Sequence, residues 1–297
     1  MSNVHRIDPP HGGNRNDMNS RSVTAQGRGQ ARRAANSNAM EAAGRAGFVA
    51  RGVIYVLVGL LALRIAFPGG DAKQADRGGA VAEIAEKPFG TVLLWVLGIA
   101  VAGMALWRLS EALFGGAGPD EHKPGKRAMA AGRAVFYAFV SYSVLSFAAG
   151  DSGSGGGSSD QQSQDITAKA LGWPGGQWIV GIGGAVVAGA GLWIAVRALM
   201  RKYHKHLKLS QMSRRVRQAV DVTGVFGGAA RGSVFAAAGA FAIAAAIEHE
   251  PDKSKGMDDT LRSFADTPVG PWLLVLIALG LVAFGVFSWF NARYRKV

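Results

Sequence analysis

Six long apolar segments dominate the pattern of hydrophobic and polar positions along the chain. Their interiors lack the regular polar stripe that a soluble amphipathic helix shows. Most of them reach or approach the ~20 residues that a helix needs to cross ~30 Å of hydrocarbon at about 1.5 Å per residue. The segments cover approximately residues 46–67, 90–108, 134–149, 177–198, 225–247 and 270–290. This pattern predicts an all-α polytopic membrane protein with six transmembrane helices.

The six segments follow one another as three copies of a two-helix unit. The first helix of each copy carries an arginine near its start, and the arginines are Arg51, Arg133 and Arg231. A proline stands between the two helices of each copy, and the prolines are Pro88, Pro174 and Pro268. An aromatic residue follows 19 positions after each proline, and these residues are Trp107, Trp193 and Phe287. Such regular spacing predicts three tandem repeats of two helices each, over residues 44–115, 126–200 and 223–294.

A short stretch before each proline has apolar residues at helical spacing, as in AVAEIAEKP of the first repeat. These stretches are predicted to be amphipathic helices that lie on one membrane surface. Asp165 and Asp259 are the expected N-caps in the second and third repeats. The glycine two residues after each proline is expected to let the chain turn into the membrane.

Basic residues are distributed unevenly between the two sides that this topology defines. Of 33 Lys and Arg residues, 23 lie on the side of the two termini and 7 lie in the opposite loops, with the rest inside the segments. By the positive-inside rule, both termini are predicted to be cytoplasmic in a bacterial plasma membrane. Residues 1–43 lack apolar periodicity and are predicted to form a disordered basic arm. Anionic lipid headgroups account for the charge of this arm more simply than a specific nucleic acid does.

The layout resembles a bacterial membrane family known as domain of unknown function 1206. The resemblance is carried by RAGFVARGVIYVLVGLLAL, DRGGAVAEIAEKPFG and GMALWRLSEALFG, covers residues 44–297 and is strongest in the first repeat. It implies an integral membrane protein, mostly of actinomycete-type bacteria. It implies no activity and no functional residues.

The three repeated arginines are the candidate site. Arginine at the centre of a membrane helix costs about 2.5–3.5 kcal/mol on insertion scales, so it usually has a partner or water. One interpretation is that all three contact lipid phosphates at the headgroups; the other is that they converge as an anion-binding ring. Tyr55 and Tyr137 follow the first two arginines by four residues, but Phe235 follows the third, which favours packing over hydrogen bonding at this position.

Tryptophans and small residues suggest how the helices are arranged. Tryptophans near the segment ends, Trp107 and Trp193 among them, are expected to anchor the helices at the membrane interface. Small residues recur every four positions at Gly181, Ala185 and Gly189, and again from Gly232 to Ala244. Such faces let helices approach closely, which favours a compact bundle or a homo-oligomer.

Two classes of function remain open. No Asp, Glu, His or Lys lies in the middle of any segment, and the chain has no Cys. No motif typical of hydrolases, metal sites or phosphate-binding loops is found, so neither enzymatic activity nor a cofactor is expected. The first hypothesis is a non-enzymatic membrane protein that acts as a scaffold or responds to lipids or partner proteins. The alternative is a channel or carrier for a small solute along a pseudo-threefold axis.

Overall fold

The computed structural model describes residues 38–66, 74–115, 123–151, 159–265 and 269–296. Within these ranges the chain is all-helical, with nine α-helices and no strand. Six of the helices are long and apolar enough to cross a membrane, which makes the chain a multi-pass membrane protein. The all-α fold class predicted from the hydrophobic pattern is confirmed. Residues 1–37, which form most of the predicted basic arm, lie outside the described residues, and so does Pro268.

Six long helices form the bundle, and three short helices connect them in pairs. The long helices are α1 (Asn38–Ala66), α3 (Gly90–Phe114), α4 (Pro124–Ala148), α6 (Gly176–Leu199), α7 (Arg214–Glu248) and α9 (Gly270–Tyr294). The short helices are α2 (Arg77–Ala85), α5 (Ser159–Leu171) and α8 (Met257–Ala265). We call the end of the bundle where α1 begins and α9 ends the terminal face. The opposite end, covered by the short helices, is the capped face.

The long helices pack as an open ring in the order α4, α3, α1, α9, α7, α6. Neighbouring repeats meet through α3 and α4, through α6 and α7, and through α9 and α1. The two helices pack against each other within the first repeat and within the third. In the second repeat, whose long helices are described in full, α4 and α6 share no comparable interface. The ring is therefore open on one side, between α4 and α6.

Glycines allow the close and extensive contact between α6 and α7. A Cβ at Gly191 would lie 2.3 Å from the backbone nitrogen of Ala236, and a Cβ at Gly184 would lie 2.9 Å from the carbonyl oxygen of Gly239. By contrast, a Cβ at Gly189 would meet nothing within 4 Å. The small-residue face predicted for α6 is only partly confirmed: a Cβ at Gly181 would lie 3.7 Å from Ala246 Cβ of α7, but the closest approach runs through Gly184 and Gly191.

Glycine also begins the second helix of every repeat, for a reason that the sequence did not reveal. A Cβ would lie 2.4 Å from Ala85 O at Gly90, 1.9 Å from Ala170 O at Gly176 and 1.8 Å from Ala265 O at Gly270. The positive φ of the turn falls instead on the preceding residue in two repeats, at Phe89 (63°) and Gly175 (75°). These glycines are thus required by close backbone approach and not by conformational freedom.

Aspartates at the starts of the short helices link the three repeats in a closed cycle on the capped face. Asp76 accepts from the backbone N–H of Ser159 at 2.7 Å, so the first repeat is tied to the second. Asp160 accepts from the N–H of Asp259 at 3.1 Å, and Asp258 accepts from the N–H of Ala75 at 2.7 Å. Asp76 is in addition the N-cap of α2. The cycle gives the capped face a pseudo-threefold arrangement.

The N-caps predicted for the second and third repeats were wrong. Helix α5 begins at Ser159, so Asp165 lies inside the helix. Asp259 is the third residue of α8, and it donates its backbone N–H to Asp160. The sequence pattern located the helices but missed their first turns.

The connection between α6 and α7 folds back over the terminal face. It contains two short 3₁₀ helices, Lys202–His206 and Leu209–Gln211. Two backbone hydrogen bonds, Lys208 N–H to Tyr294 O at 2.8 Å and Lys296 N–H to His206 O at 2.9 Å, join it to the end of α9. This junction brings basic side chains from distant parts of the chain together.

Candidate functional site

A cavity of about 720 Å³ lies between the first helices of the three repeats. This volume is within the range of about 300–1,000 Å³ that is common for small-molecule sites. Its walls are largely apolar and include Ile54, Val58, Val140, Val180 and Val234. Polar residues of the capped face, among them Ser163, Thr167 and Lys255, lie at one end.

Two of the repeated arginines, Arg51 and Arg231, line the cavity. Arg231 donates from Nε to the hydroxyl of Tyr55 at 2.8 Å. Arg51 donates from Nε to Ser288 Oγ at 3.1 Å and from Nη1 to Tyr137 Oη at 3.4 Å. These bonds direct both guanidinium groups toward the interior of the bundle.

Aromatic faces complete the surroundings of the two guanidinium groups. The Cζ atoms of Arg51 and Arg231 lie 5.3 Å and 5.0 Å from the centroid of the same ring, that of Phe284. Arg51 also lies 4.8 Å from the ring of Phe48, and Arg231 lies 5.0 Å from the ring of Phe235. Such contacts stabilise a cation by about 0.5–2 kcal/mol each. They leave its charge uncompensated.

Within the described residues, no carboxylate forms an ion pair with Arg51 or Arg231; their polar partners are neutral hydroxyl groups. Both side chains are half-buried, and each contributes to the cavity wall. Buried charges in proteins are usually paired, because desolvating an unpaired ion is costly. The arrangement therefore presents two positive charges at one end of the cavity, where no described carboxylate pairs with them; Asp76 lines the other end, at the capped face.

In two of the three repeats, the arginine donates a hydrogen bond to the tyrosine of the next repeat in cyclic order. Arg51 of the first repeat bonds Tyr137 of the second, and Arg231 of the third bonds Tyr55 of the first. The same pattern would pair Arg133 of the second repeat with residue 235 of the third, but this residue is Phe235, which has no hydroxyl. The expectation that packing dominates at this aromatic position was wrong for Tyr55 and Tyr137, since both make hydrogen bonds to arginine.

Arg133 lies apart from the other two arginines. Its side chain is exposed, its Nη2 contacts Met129 Sδ at 3.2 Å, and it lines a second, smaller pocket on the terminal face. The structure thus brings two of the three predicted arginines to one cavity. The three do not form a single ring.

The repeated prolines and aromatic residues have structural surroundings that differ between repeats. Pro88 and Pro174 lie in the turns that precede α3 and α6. Trp107 is 4% exposed and stacks beneath Arg108, so it is not the interface anchor that its position predicted. Trp193 is exposed, and Phe287 is buried against Tyr203.

The cavity is uncovered where the ring of helices is open. Phe136 and Phe139 of α4 and Ile179 and Val187 of α6 line it, yet each of these side chains is 40% or more exposed. Gly183 of α6 also lines it, and a Cβ there would meet nothing within 4 Å. An apolar side opening therefore connects the cavity with the lipid-facing surface.

One group of acidic residues on the capped face has the spacing of cation ligands. Carboxylate oxygens of Asp160, Asp258 and Asp259 lie within 4.8 Å of one another. Burial, followed by the charges of Asp259 and Asp258, raises the pKa of the Asp160 carboxyl to about 6. Asp160 and Asp258 already accept backbone N–H groups, so the cluster is explained by the cycle that joins the short helices.

Comparison with known proteins agrees with the resemblance drawn from the motifs. The family model described as Domain of Unknown Function (DUF1206) matches the chain three times, over residues 46–115, 128–201 and 226–295. "Uncharacterized protein YxxB" of Bacillus subtilis (strain 168) is 30% identical over 256 residues, which cover 86% of this chain and 90% of the relative. No solved structure matches the chain. Because the family model covers more than half of the sequence in three tandem copies, the chain belongs to the DUF1206 family.

Proposed function

We propose that this protein is a non-enzymatic membrane protein that binds an anionic amphiphile in its central cavity. The ligand class is a hydrocarbon chain that ends in a carboxylate or phosphate group. The observation that carries the proposal is the pair Arg51 and Arg231, two cations at one end of an apolar cavity that pair with no carboxylate of the described residues.

Charge and shape favour this ligand over a neutral or purely polar one. An anionic group beside Arg51 and Arg231 would compensate charges that now have neutral partners, and charge-assisted bonds to guanidinium are among the stronger hydrogen bonds. The apolar walls would bury the hydrocarbon chain, at about 25 cal/mol per Å² of apolar surface. A small hydrophilic anion would form the charge-assisted hydrogen bonds but would bury no apolar surface.

The side opening supplies a route from the bilayer. A lipid-like ligand in the membrane reaches the gap between α4 and α6 without crossing water. Its chain would pass beside Gly183, where there is no side chain in the way. On this route the ligand enters between the two long helices of the second repeat. Its anionic group is then bound by Arg51 of the first repeat and Arg231 of the third.

We infer the membrane and the orientation from the charge distribution. The terminal face carries most of the basic residues, so it is assigned to the cytoplasm of a bacterial cell and the capped face to the outside. On this assignment the basic residues of the arm contact anionic headgroups of the inner leaflet, at about 1 kcal/mol per Lys or Arg near the surface.

The proposal is tested by ligand binding to the full chain in nanodiscs of zwitterionic lipid. A long-chain fatty acid is titrated against the long-chain alcohol of equal length, and bound ligand is counted by native mass spectrometry. We expect binding of the acid and at least about tenfold weaker binding of the alcohol, because only the acid pairs with the arginines. Equal binding of both would contradict the role of the arginine pair.

Matched variants separate the site from general effects of charge. Arg51→Gln and Arg231→Gln should each weaken acid binding by about tenfold or more. Arg64→Gln is the control, since Arg64 lies on α1 but its side chain is 56% exposed and 3.7 Å from Glu83, outside the cavity. Loss of binding in the control to the same degree would show that the cavity arginines have no special part.

A second pair of variants tests the route through the side opening. Gly183→Phe places a ring at the opening, whereas Gly189→Phe places the same ring on the same helix away from the cavity. We expect the first variant to slow or abolish binding and the second to leave it unchanged. Identical behaviour of the two would refute access between α4 and α6.

A single observation favours a second function, passage of a small anion along the axis. The cavity extends from Arg51 and Arg231 to Asp76, Arg77 and Lys255 on the capped face. Anion flux into proteoliposomes that falls in Arg231→Gln, with no binding of the fatty acid, would favour the channel or carrier. Fatty-acid binding without flux favours the proposal above.

A further inference from the structure

A second pocket, of about 120 Å³, lies on the terminal face and is separate from the central cavity. We call it the basic pocket. Its lining includes six cations, Arg108, Lys126, Arg133, Arg197, Arg295 and Lys296. Among the described residues that line it, Glu111 is the one carboxylate, and His206 is also present. All three repeats contribute to it, from helix ends far apart in the sequence.

Two arginines of the basic pocket each have a buried Nε donor for which the described residues provide no acceptor. Arg108 is 5% exposed and pairs with Glu111, but its Nε is buried and has no hydrogen-bond partner in the described part of the chain. The Nε of Arg295 is likewise buried without a partner among those residues. A buried donor left unsatisfied costs about 1–3 kcal/mol, and more for a charged group. A bound hydrogen-bond acceptor would satisfy each of these donors and remove this cost.

The two arginines are fixed against one indole ring. The Cζ atoms of Arg108 and Arg295 lie 4.2 Å and 5.2 Å from the ring centroid of Trp107. Arg295 also lies 5.1 Å from the ring of Phe48. This packing restricts the side chains, so that a ligand would lose little of its binding free energy in ordering them.

The cations of the basic pocket destabilise one another in the absence of an anion. With Arg108 paired to Glu111, four further cations remain beside it, and the described part of the lining holds no second carboxylate; these cations are Arg133, Arg197, Arg295 and Lys296. Burial, followed by the charge of Arg108, lowers the pKa of Arg295 to about 9. The charged guanidinium is thus held at a cost that a bound anion would reduce.

We propose that the basic pocket binds a phosphate group, supplied by a lipid headgroup or by a free phosphate. Guanidinium groups suit this ligand because their planar donors match phosphate oxygens in bidentate geometry. Bound phosphate would tie the end of α3 to the start of α4 and to the ends of α6 and α9. It would therefore stabilise the terminal face as the aspartate cycle stabilises the capped face.

The test uses the full chain in dodecyl maltoside micelles, because this detergent carries no phosphate. In the first arm, inorganic phosphate is titrated at constant ionic strength, with sodium chloride as the compensating salt, and the thermal unfolding midpoint is followed. In the second arm, no free phosphate is added and phosphatidic acid is mixed into the micelles at a tenth of the detergent. A rise in the midpoint in the first arm identifies free phosphate as the source, and a rise in the second alone identifies the headgroup. No rise in either arm would overturn the proposal.

Arg295→Gln and Arg293→Gln form the matched pair of variants. They remove the same charge two residues apart, but Arg295 lines the basic pocket and Arg293 does not. We expect the response to need about tenfold more phosphate, or to disappear, in Arg295→Gln and to be unchanged in Arg293→Gln. Equal responses in the two variants would show that the charge of the terminal face acts without the basic pocket.

Two further variants keep the test decisive. Should Arg295→Gln fail to fold, Arg197→Gln takes its place, because Arg197 lines the basic pocket from α6. Arg51→Gln, in the central cavity, should leave the phosphate response intact. Loss of the response in Arg51→Gln as well would assign the anion to the central cavity and contradict a separate site.

Discussion

Tyr55→Phe removes one hydroxyl from the central cavity and leaves the aromatic ring in place. The ring keeps its edge-to-face contact with Phe284, whose centroid lies 4.7 Å away. The hydrogen bond from Arg231 Nε, 2.8 Å long, is lost. The variant therefore isolates the stabilisation that this hydroxyl gives to a half-buried cation.

The expected magnitude follows from the length and the charge of the bond. A hydrogen bond to a charged group contributes about 1.5–3 kcal/mol, and side-chain bonds between membrane helices reach about 1.7 kcal/mol at most. We expect Tyr55→Phe to lower the free energy of unfolding by about 1.5 kcal/mol. Tyr137→Phe breaks a bond of 3.4 Å, longer than the usual N–H···O range, and Arg51 keeps Ser288. Its expected cost is about 0.5 kcal/mol or less.

Reversible unfolding in mixed detergent micelles, followed by circular dichroism at pH 7, measures the two variants side by side. Tyr55→Phe should be clearly less stable than Tyr137→Phe. It should also bind the long-chain acid more weakly, because Arg231 is then held less firmly. Equal stability of the two variants, or a lower stability of Tyr137→Phe, would contradict a strong Arg231–Tyr55 hydrogen bond.

Three further predictions concern the helix contact, the capped face and the orientation. Gly191→Ala should cost about 1–3 kcal/mol by overpacking against α7, whereas Gly189→Ala should stabilise the chain by up to about 1 kcal/mol through helix propensity; equal effects in the unfolding assay would contradict the packing of α6. Because the pKa of Asp160 is raised to about 6 from 3.8, its protonated form favours the folded state: the resulting stability is complete below about pH 3.8 and is lost as the pH rises through 6. The unfolding free energy should therefore rise between pH 7 and pH 5 in the wild type and less so in Asp160→Asn; parallel profiles would argue against this assignment. The chain has no cysteine, so single cysteines can be introduced and labelled in intact cells that express it. A membrane-impermeant maleimide should label Lys87→Cys on the capped face and should not label Lys205→Cys on the terminal face. The reverse labelling pattern would show the opposite orientation.

The membrane architecture could be predicted because its signals are local. Apolar runs near 20 residues and the repeated spacing of Arg51, Pro88 and Trp107 are visible in the sequence. The six spans and the family follow from them. Helix ends were less accurate, as α4 begins ten residues before the apolar segment that predicted it.

The candidate site was only partly predictable, because its partners come from different repeats. Arg51, Arg133 and Arg231 occupy the same repeat position, and their different surroundings depend on whether residue 55, 137 or 235 bears a hydroxyl. Phe235 was the available signal, but it was interpreted as favouring packing over hydrogen bonding in all three copies.

The basic pocket was missed for a different reason. Arg108, Arg197 and Arg295 lie at helix ends, where basic residues were interpreted as topology signals alone. Only the fold of the connection after α6 brings them together. No spacing rule along the chain marks such a convergence.

The most direct measurement of the central proposal is the distance between a bound carboxylate and the cavity arginines. Solid-state NMR on the ¹⁵N-labelled chain in liposomes, with a fatty acid carrying ¹³C at its carboxyl carbon, detects carboxylate carbons close to guanidinium nitrogens. We expect a ¹³C–¹⁵N contact in the wild type and in Arg64→Gln, weakened in Arg231→Gln and absent in Arg51→Gln/Arg231→Gln. A contact that persists unchanged in the double variant, or the absence of any contact in the wild type at saturating fatty acid, would contradict the binding of an anionic amphiphile in the central cavity.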